Sequence, residues 1–211
     1  MASLAKRRDI IEVVDTILEG VTKGFSITRI MMYSSTNHVY VKKIFVLLTN
    51  RGFVEIKRDP EKTRYYYSLT TKGIYLQDLL KNLRCLLLCN NTKNTTVHSY
   101  SGHNVEEIEE KSRIVLHKLD SKKKRSHLDI YFTILSLTIN KPRTISSIAN
   151  GCYLNLEQAT RYLEELLKLG MLVKINDFGK EKYQITSKGL RFLDIYLKIC
   201  ELICEFDLVN Y

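Results

Sequence analysis

Apolar residues at Ile10, Val13, Val14, Ile17 and Leu18 recur at intervals of three and four, which predicts an amphipathic helix with one buried stripe. Gly20 and Gly24 punctuate its end. Ser26 is placed to cap a short second helix running to Met32, with Ile27 and Ile30 turned inward. A polar turn, Ser34 to Asn37, leads into a third helix whose stripe is Val41, Ile44, Phe45 and Leu48, with Thr36 or Asn37 as its N-cap. Gly52 suits the left-handed position that follows a helix C-terminus. The period then shortens. Phe53, Val54 and Ile56, a charged turn and Tyr65 to Leu69 predict a β-hairpin, and Thr70-Thr71-Lys72-Gly73 opens a fourth helix rich in leucine.

The same pattern returns further along. A shift of 118 residues pairs Ile27 with Ile145, Ile30 with Ile148, Asn37 with Asn155, Leu48 with Leu166 and Gly52 with Gly170. A shift of 116 then pairs Tyr67, Thr70, Lys72 and Gly73 with Tyr183, Thr186, Lys188 and Gly189, so the second hairpin is two residues shorter. Its helices carry Ile130, Ile134 and Leu135, then Ile145 and Ile148, then Ala159, Tyr162, Leu163 and Leu166; its hairpin turns at Asn176-Asp177-Phe178-Gly179. Two copies of this length make a duplicated domain, not a repeat array.

Three short helices followed by a hairpin is the winged helix-turn-helix arrangement. The expected fold class is therefore mainly α with small β-hairpins, as tandem duplicated winged helix-turn-helix domains with long leucine-rich terminal helices. The domains are read as 1–89, a linker at 90–125 holding a helix over 105–119, and 126–211. The phrases Leu48-x-x-Arg51-Gly52-Phe53-Val54 and Leu166 to Val173 before the wings, with Tyr67-x-Leu69-Thr70-x-Lys72-Gly73 and Tyr183 to Gly189 after them, resemble the archaeal winged-helix transcriptional regulators. That resemblance implies a DNA-binding fold with the third helix as reader.

Composition narrows the partner. The net charge of +10 and pI near 9.3 point to an anionic counter-surface. Residues 6–81 carry 14 basic and 8 acidic side chains, residues 82–125 carry 9 and 5, and residues 126–211 carry 10 and 10, so the two copies have diverged electrostatically. The opening segment lacks the apolar stretch of a secretory signal, and no run of about 18 apolar residues occurs. With an odd number of cysteines, five, the chain reads as soluble, cytoplasmic and unconnected with membranes.

A reading helix meets base edges with the face opposite its core stripe, while wing and helix ends hold phosphates. In the first copy the base-reading candidates are Asn37, His38, Val39, Tyr40, Lys42 and Lys43, a face without an acid. The phosphate candidates are Lys6, Arg7 and Arg8 at the N-terminus and Lys57, Arg58, Lys62 and Arg64 on the wing. In the second copy the corresponding helix face carries Glu157, Gln158, Thr160, Arg161, Glu164 and Glu165, and the acids suit phosphates poorly. Its candidates are Asn155, Gln158, Thr160 and Arg161 with Lys180 and Lys182 on the wing; protein contact is the competing role.

The helices after each wing carry apolar stripes, including Leu79, Leu83 and Leu86 in the first and Leu193, Leu197 and Cys200 in the second. Such stripes need a partner helix, either each other within one chain or the same stripe of a second chain across a two-fold axis; a homodimer is the favoured form. After the polar segment 90–104, a helix with Ile108, Val115, Leu116 and Leu119 as apolar contacts is expected, and the basic run at 121–126 reads as a solvated tether or as further phosphate contacts. Cys85/Cys89 and Cys200/Cys204 are spaced to lie on one helix face; interface packing explains them better than metal or redox chemistry. Cys85, Cys89, His98 and His103 superficially suggest zinc, but Leu86 to Leu88 read as core, so no metal and no cofactor are expected.

No phosphate-binding glycine loop, nucleophile elbow or His-Glu-x-x-His motif occurs, so nothing points to an enzyme. The sequence reads as a transcriptional regulator, by default a repressor, that binds double-stranded DNA sequence-specifically. The rival is a tandem winged-helix protein-interaction or architectural module that binds nucleic acid only non-specifically.

Overall fold

The computed structural model describes residues 9–34, 37–58, 65–88, 105–120 and 125–204. It separates into two compact units, Met1–Lys81 and Asn82–Tyr211.

In the first unit three helices precede a hairpin and the start of a further helix, which runs on past Lys81: α1 (Ile10–Thr22), α2 (Ile27–Tyr33), α3 (His38–Asn50), β1 (Val54–Arg58), β2 (Tyr65–Leu69) and α4 (Thr71–Leu88). The helix starts are set by side chains that satisfy orphan N–H groups. Asp9 accepts from the Ile11 N–H, Ser26 from Arg29 at 3.3 Å, and Asn37 from Val39 at 2.9 Å. Val13, Val14, Ile17 and Leu18 of α1 pack with Ile30 of α2 and Val41, Ile44, Phe45 and Leu48 of α3, all buried. The core stripe of α3 therefore faces inward as its spacing demands. The hairpin is antiparallel, with Val54 opposite Leu69 and Arg58 opposite Tyr65, and Tyr67 meets the edge of the Phe45 ring at 4.8 Å.

The second unit repeats the order behind one added helix: α5 (Val105–Asp120), α6 (His127–Leu137), α7 (Ile145–Gly151), α8 (Leu156–Lys168), β3 (Leu172–Asp177), β4 (Lys180–Ile185) and α9 (Ser187–Cys204). Capping boxes start α6, through Ser126 and Asp129, and α8, through Asn155 and Gln158. Arg143, in the connection from α6 to α7, bridges to Tyr183 and so extends the hairpin by one residue of a third strand. Buried Asp129 also fastens α6 to α9, because the hydroxyl of Tyr196 donates to its Oδ1 at 2.5 Å. Helix α5 packs along α9 and touches α6, burying Ile108 and Leu119, with Val115 and Leu116 half-buried. Leu193, Leu197 and Cys200 of α9 are buried within this unit, so α9 finds a partner helix without a second chain.

The Thr-x-Lys-Gly phrase that follows each wing has one physical cause in both copies. The hydroxyl of Thr70 donates to the Gly52 carbonyl at 2.5 Å and accepts from the Gly73 N–H at 3.1 Å. Thr186 does the same between Gly170 (2.8 Å) and Gly189 (3.2 Å). One side chain thus caps the terminal helix and ties it to the residue where the wing begins. A Cβ on Gly73 would stand 2.0 Å from the Phe53 carbonyl oxygen, and one on Gly189 would stand 2.5 Å from that of Met171, so only glycine fits. Gly52 and Gly170 adopt φ of +72° and +69°, the left-handed exit from α3 and α8.

Candidate nucleic-acid interface

The outward face of α3 is the strongest candidate. His38, Val39, Lys42, Lys43, Val46 and Asn50 are exposed along it and Tyr40 is half-buried, while the opposite face supplies the core. The structure thus brings the base-reading candidates His38, Val39, Tyr40, Lys42 and Lys43 onto one surface without a carboxylate. Asn37 stands at the end of that surface, but its side-chain Oδ1 accepts from the Val39 N–H, so its first role is as the cap.

The two wing cations among the described residues, Lys57 and Arg58, differ in their surroundings. Lys57 is paired with Glu55 at 2.8 Å, and the Ser68 hydroxyl donates to the same carboxylate at 3.0 Å. Lys57 and then Ser68 hold the Glu55 carboxyl below its usual range, and Glu55 holds Lys57 above its own. Glu55 therefore offsets the charge that Lys57 would offer a phosphate. Arg58 lies opposite Tyr65, and both are exposed at the outer end of the hairpin. Lys6, Arg7, Arg8, Lys62 and Arg64 lie outside the described residues.

Sequence reasoning missed a basic and aromatic cluster where α1 turns into α2. The Arg29 guanidinium sits 4.0 Å from the centre of the Phe25 ring, Lys23 stands 5.2 Å from that of Tyr33, and the two rings meet edge to face at 5.9 Å. Stacking of this kind holds a cation in place while leaving its N–H groups available to an anion. Glu19 offsets part of the charge by pairing with Lys23 at 2.7 Å, leaving Arg29 as the member suited to a phosphate. The signal in the sequence was the aromatic spacing Phe25 to Tyr33 around Arg29.

On the second unit the helix face is more mixed. Glu157, Thr160, Arg161 and Glu164 are exposed, and Asn155 and Gln158, though exposed, are engaged with each other's backbone in the capping box. Arg161 lies over the Tyr162 ring at 5.2 Å. Glu165 is not on the outer face, contrary to the sequence reading. It is half-buried and accepts from the Tyr131 hydroxyl and from His127 Nε2, both at 2.9 Å, because its long side chain reaches back to α6. On the hairpin Lys182 pairs with Asp177 and Lys174 with Glu181, whereas Lys180 stands exposed at the turn.

The leucine and cysteine positions separate. Leu79 and Leu83 of α4 are buried and Leu86 is half-buried. Cys85 is exposed and Cys200 buried; Cys89, His98 and His103 lie outside the described residues, as does the Cys204 side chain. Among the described residues no group of three or more His, Cys, Asp or Glu is placed to hold a metal ion, and no helix is long and apolar enough to cross a membrane. Of the basic run before α6, Arg125 is used structurally, donating to the Cys152 carbonyl at 2.5 Å.

The winged helix-turn-helix family model matches this chain twice, over residues 7–87 and 124–203. No curated protein matches it.

Proposed function

The chain belongs to the winged helix-turn-helix family, a DNA-binding kind of domain, and we propose that it is a transcriptional regulator that binds double-stranded DNA sequence-specifically through its first unit. The observation that carries this reading is the α3 face, where His38, Val39, Lys42 and Lys43 are exposed together with no acid among them. In this mechanism α3 enters the major groove, where Lys43 donates to base acceptors and Val39 and Tyr40 meet thymine methyl groups. Arg58 and Arg29 hold phosphates on either side, which fixes register without reading sequence. Repression by occupying a promoter needs no further chemistry and is the default mode.

The test is selection of sites from a random duplex library by the full chain, followed by affinity for selected and scrambled duplexes at two salt concentrations. A discrete motif bound about a thousandfold or more over scrambled DNA supports the specific regulator. Two half-sites would argue for paired reading heads. Salt-sensitive binding with no motif replaces this reading by the architectural one.

A further inference from the structure

Among the described residues, positive φ outside glycine occurs at Tyr153 (+52°) and Phe178 (+49°), and both are exposed aromatics of the second unit. Phe178 is the more exposed of the two. Because Asp177 pairs with Lys180, Phe178 and Gly179 form a two-residue loop at the end of the hairpin, both with positive φ, which is the type I′ turn. That turn favours Asn, Asp or Gly at its first central position, since a short polar side chain or none tolerates the left-handed region. A phenylalanine there is strained, and with its side chain completely exposed it recovers nothing by packing. Strain and exposure at one residue, with no return inside the unit, mark a group kept for a contact outside it.

The form of the projection selects the partner. A protein hot spot needs an apolar anchor inside a broad surround that excludes water. Here the aromatic stands alone on a two-stranded ribbon, flanked by Asp177, Gly179 and the exposed Lys180. A single flat ring at the end of a narrow arm, with a cation beside it, suits insertion between stacked base pairs. The structure leads us to infer, resting on the DNA-binding reading above, that Phe178 is an apolar wedge that enters the minor groove of duplex DNA and unstacks one base step, with Lys180 on a neighbouring phosphate. The second unit then recognises the deformability of the duplex, favouring flexible pyrimidine–purine steps, and the mixed face of α8 with Glu157 and Glu164 need not read bases.

The chain has no tryptophan, so the F178W variant places a single indole at the turn. The full-length variant is titrated with a duplex carrying the selected site and donor and acceptor dyes at its ends, while anisotropy reports binding. The wedge predicts loss of most of the indole emission on binding and closer duplex ends with the native chain. F178N supplies the turn-favoured residue without a ring; it should keep or raise the thermal midpoint, abolish the approach of the ends and weaken binding about tenfold. Binding with unchanged emission and unbent DNA overturns the wedge and leaves the DNA-binding reading standing. Absence of duplex binding removes both. Indole emission that changes with protein concentration alone overturns the wedge in favour of a contact between chains.

Discussion

The hydroxyl of Tyr131 donates to Glu165 at 2.9 Å, tying α6 to α8 in the second unit, and His127 Nε2 meets the same carboxylate oxygen at 2.9 Å. His127 also contacts the Tyr131 and Tyr162 rings, with centroids 4.5 and 5.0 Å away. Glu165 is therefore a structural residue although it lies beside exposed Glu164. Replacing it by alanine should destabilise the second unit by about 1–3 kcal/mol, since the phenol loses its acceptor. DNA affinity should stay close to native under conditions where the variant is folded. Thermal unfolding with parallel binding measurements separates the two effects; a large affinity loss in the folded variant would contradict the assignment.

The same pair sets an alkaline limit. Burial, and then the hydrogen bond to Glu165, push the Tyr131 phenol well above its ordinary value. A raised folded pKa contributes stability that is fully present below about pH 10, the value of an unfolded tyrosine, and declines as pH rises from there toward the folded value. Melting curves from pH 8 to 11 should show the second unit weakening above about pH 10, and Tyr131→Phe should flatten that decline.

In the first unit the two classes of contact should respond differently to substitution. Lys43→Ala and Tyr40→Ala are expected to cost about 1–3 kcal/mol on the selected site and to relax preference at one or two positions. Arg58→Ala and Arg29→Ala should weaken all sequences alike and reduce the slope of log K against log salt by about 1 each. Anisotropy titrations at several salt concentrations on selected and scrambled duplexes distinguish these patterns. Uniform loss with Lys43→Ala would move that residue to the phosphate class.

The Thr-x-Lys-Gly positions should be unforgiving for a steric reason. Gly73→Ala and Gly189→Ala each drive a methyl group into a backbone carbonyl, at 2.0 and 2.5 Å, and should cost roughly 3 kcal/mol or more. Thr70→Ala and Thr186→Ala remove only a cap and its tether and should cost about 1–2 kcal/mol. Circular-dichroism melts of the four variants give the ranking.

The hydroxyl of Ser112, on α5, is buried and has no hydrogen-bond partner among the described residues. Ser112→Ala removes an unsatisfied polar group while leaving room for the helix, so it should be neutral or stabilise by up to about 1–2 kcal/mol. Denaturant unfolding of the variant measures this, and destabilisation would mean that the hydroxyl has a partner in solution.

Much of this was readable in the chain because the features are local. Spacing of three and four marked the buried faces of α1, α3 and α8, and Ser26 and Asn37 stood where helix starts require an acceptor. The duplication reinforced the stripes, since Ile30 returns as Ile148 and Leu48 as Leu166 after the same shift of 118 residues. The parts that escaped depend on contacts distant in sequence. Helical position alone put Glu165 with Glu157 and Glu164, and only the approach of α6 turns its side chain inward. The α9 stripe looked open because its cover, α5, lies more than sixty residues earlier in the chain. The exposed Phe178 was legible as part of a turn but not as strained, because strain is a property of the backbone angle and not of the residue type.

The clasp made by Thr70 and Thr186 has a consequence for how the two copies could diverge. Each hairpin is fixed at its base by a threonine hydroxyl bonded to the glycine carbonyl where the wing begins. The tip sequences differ in length and chemistry, Arg58-Asp-Pro-Glu-Lys-Thr-Arg64 in one and Asp177-Phe-Gly-Lys180 in the other, on the same anchored base. A gene duplication that kept the anchor leaves the tips free to differ in length and charge without either copy having to rediscover its fold.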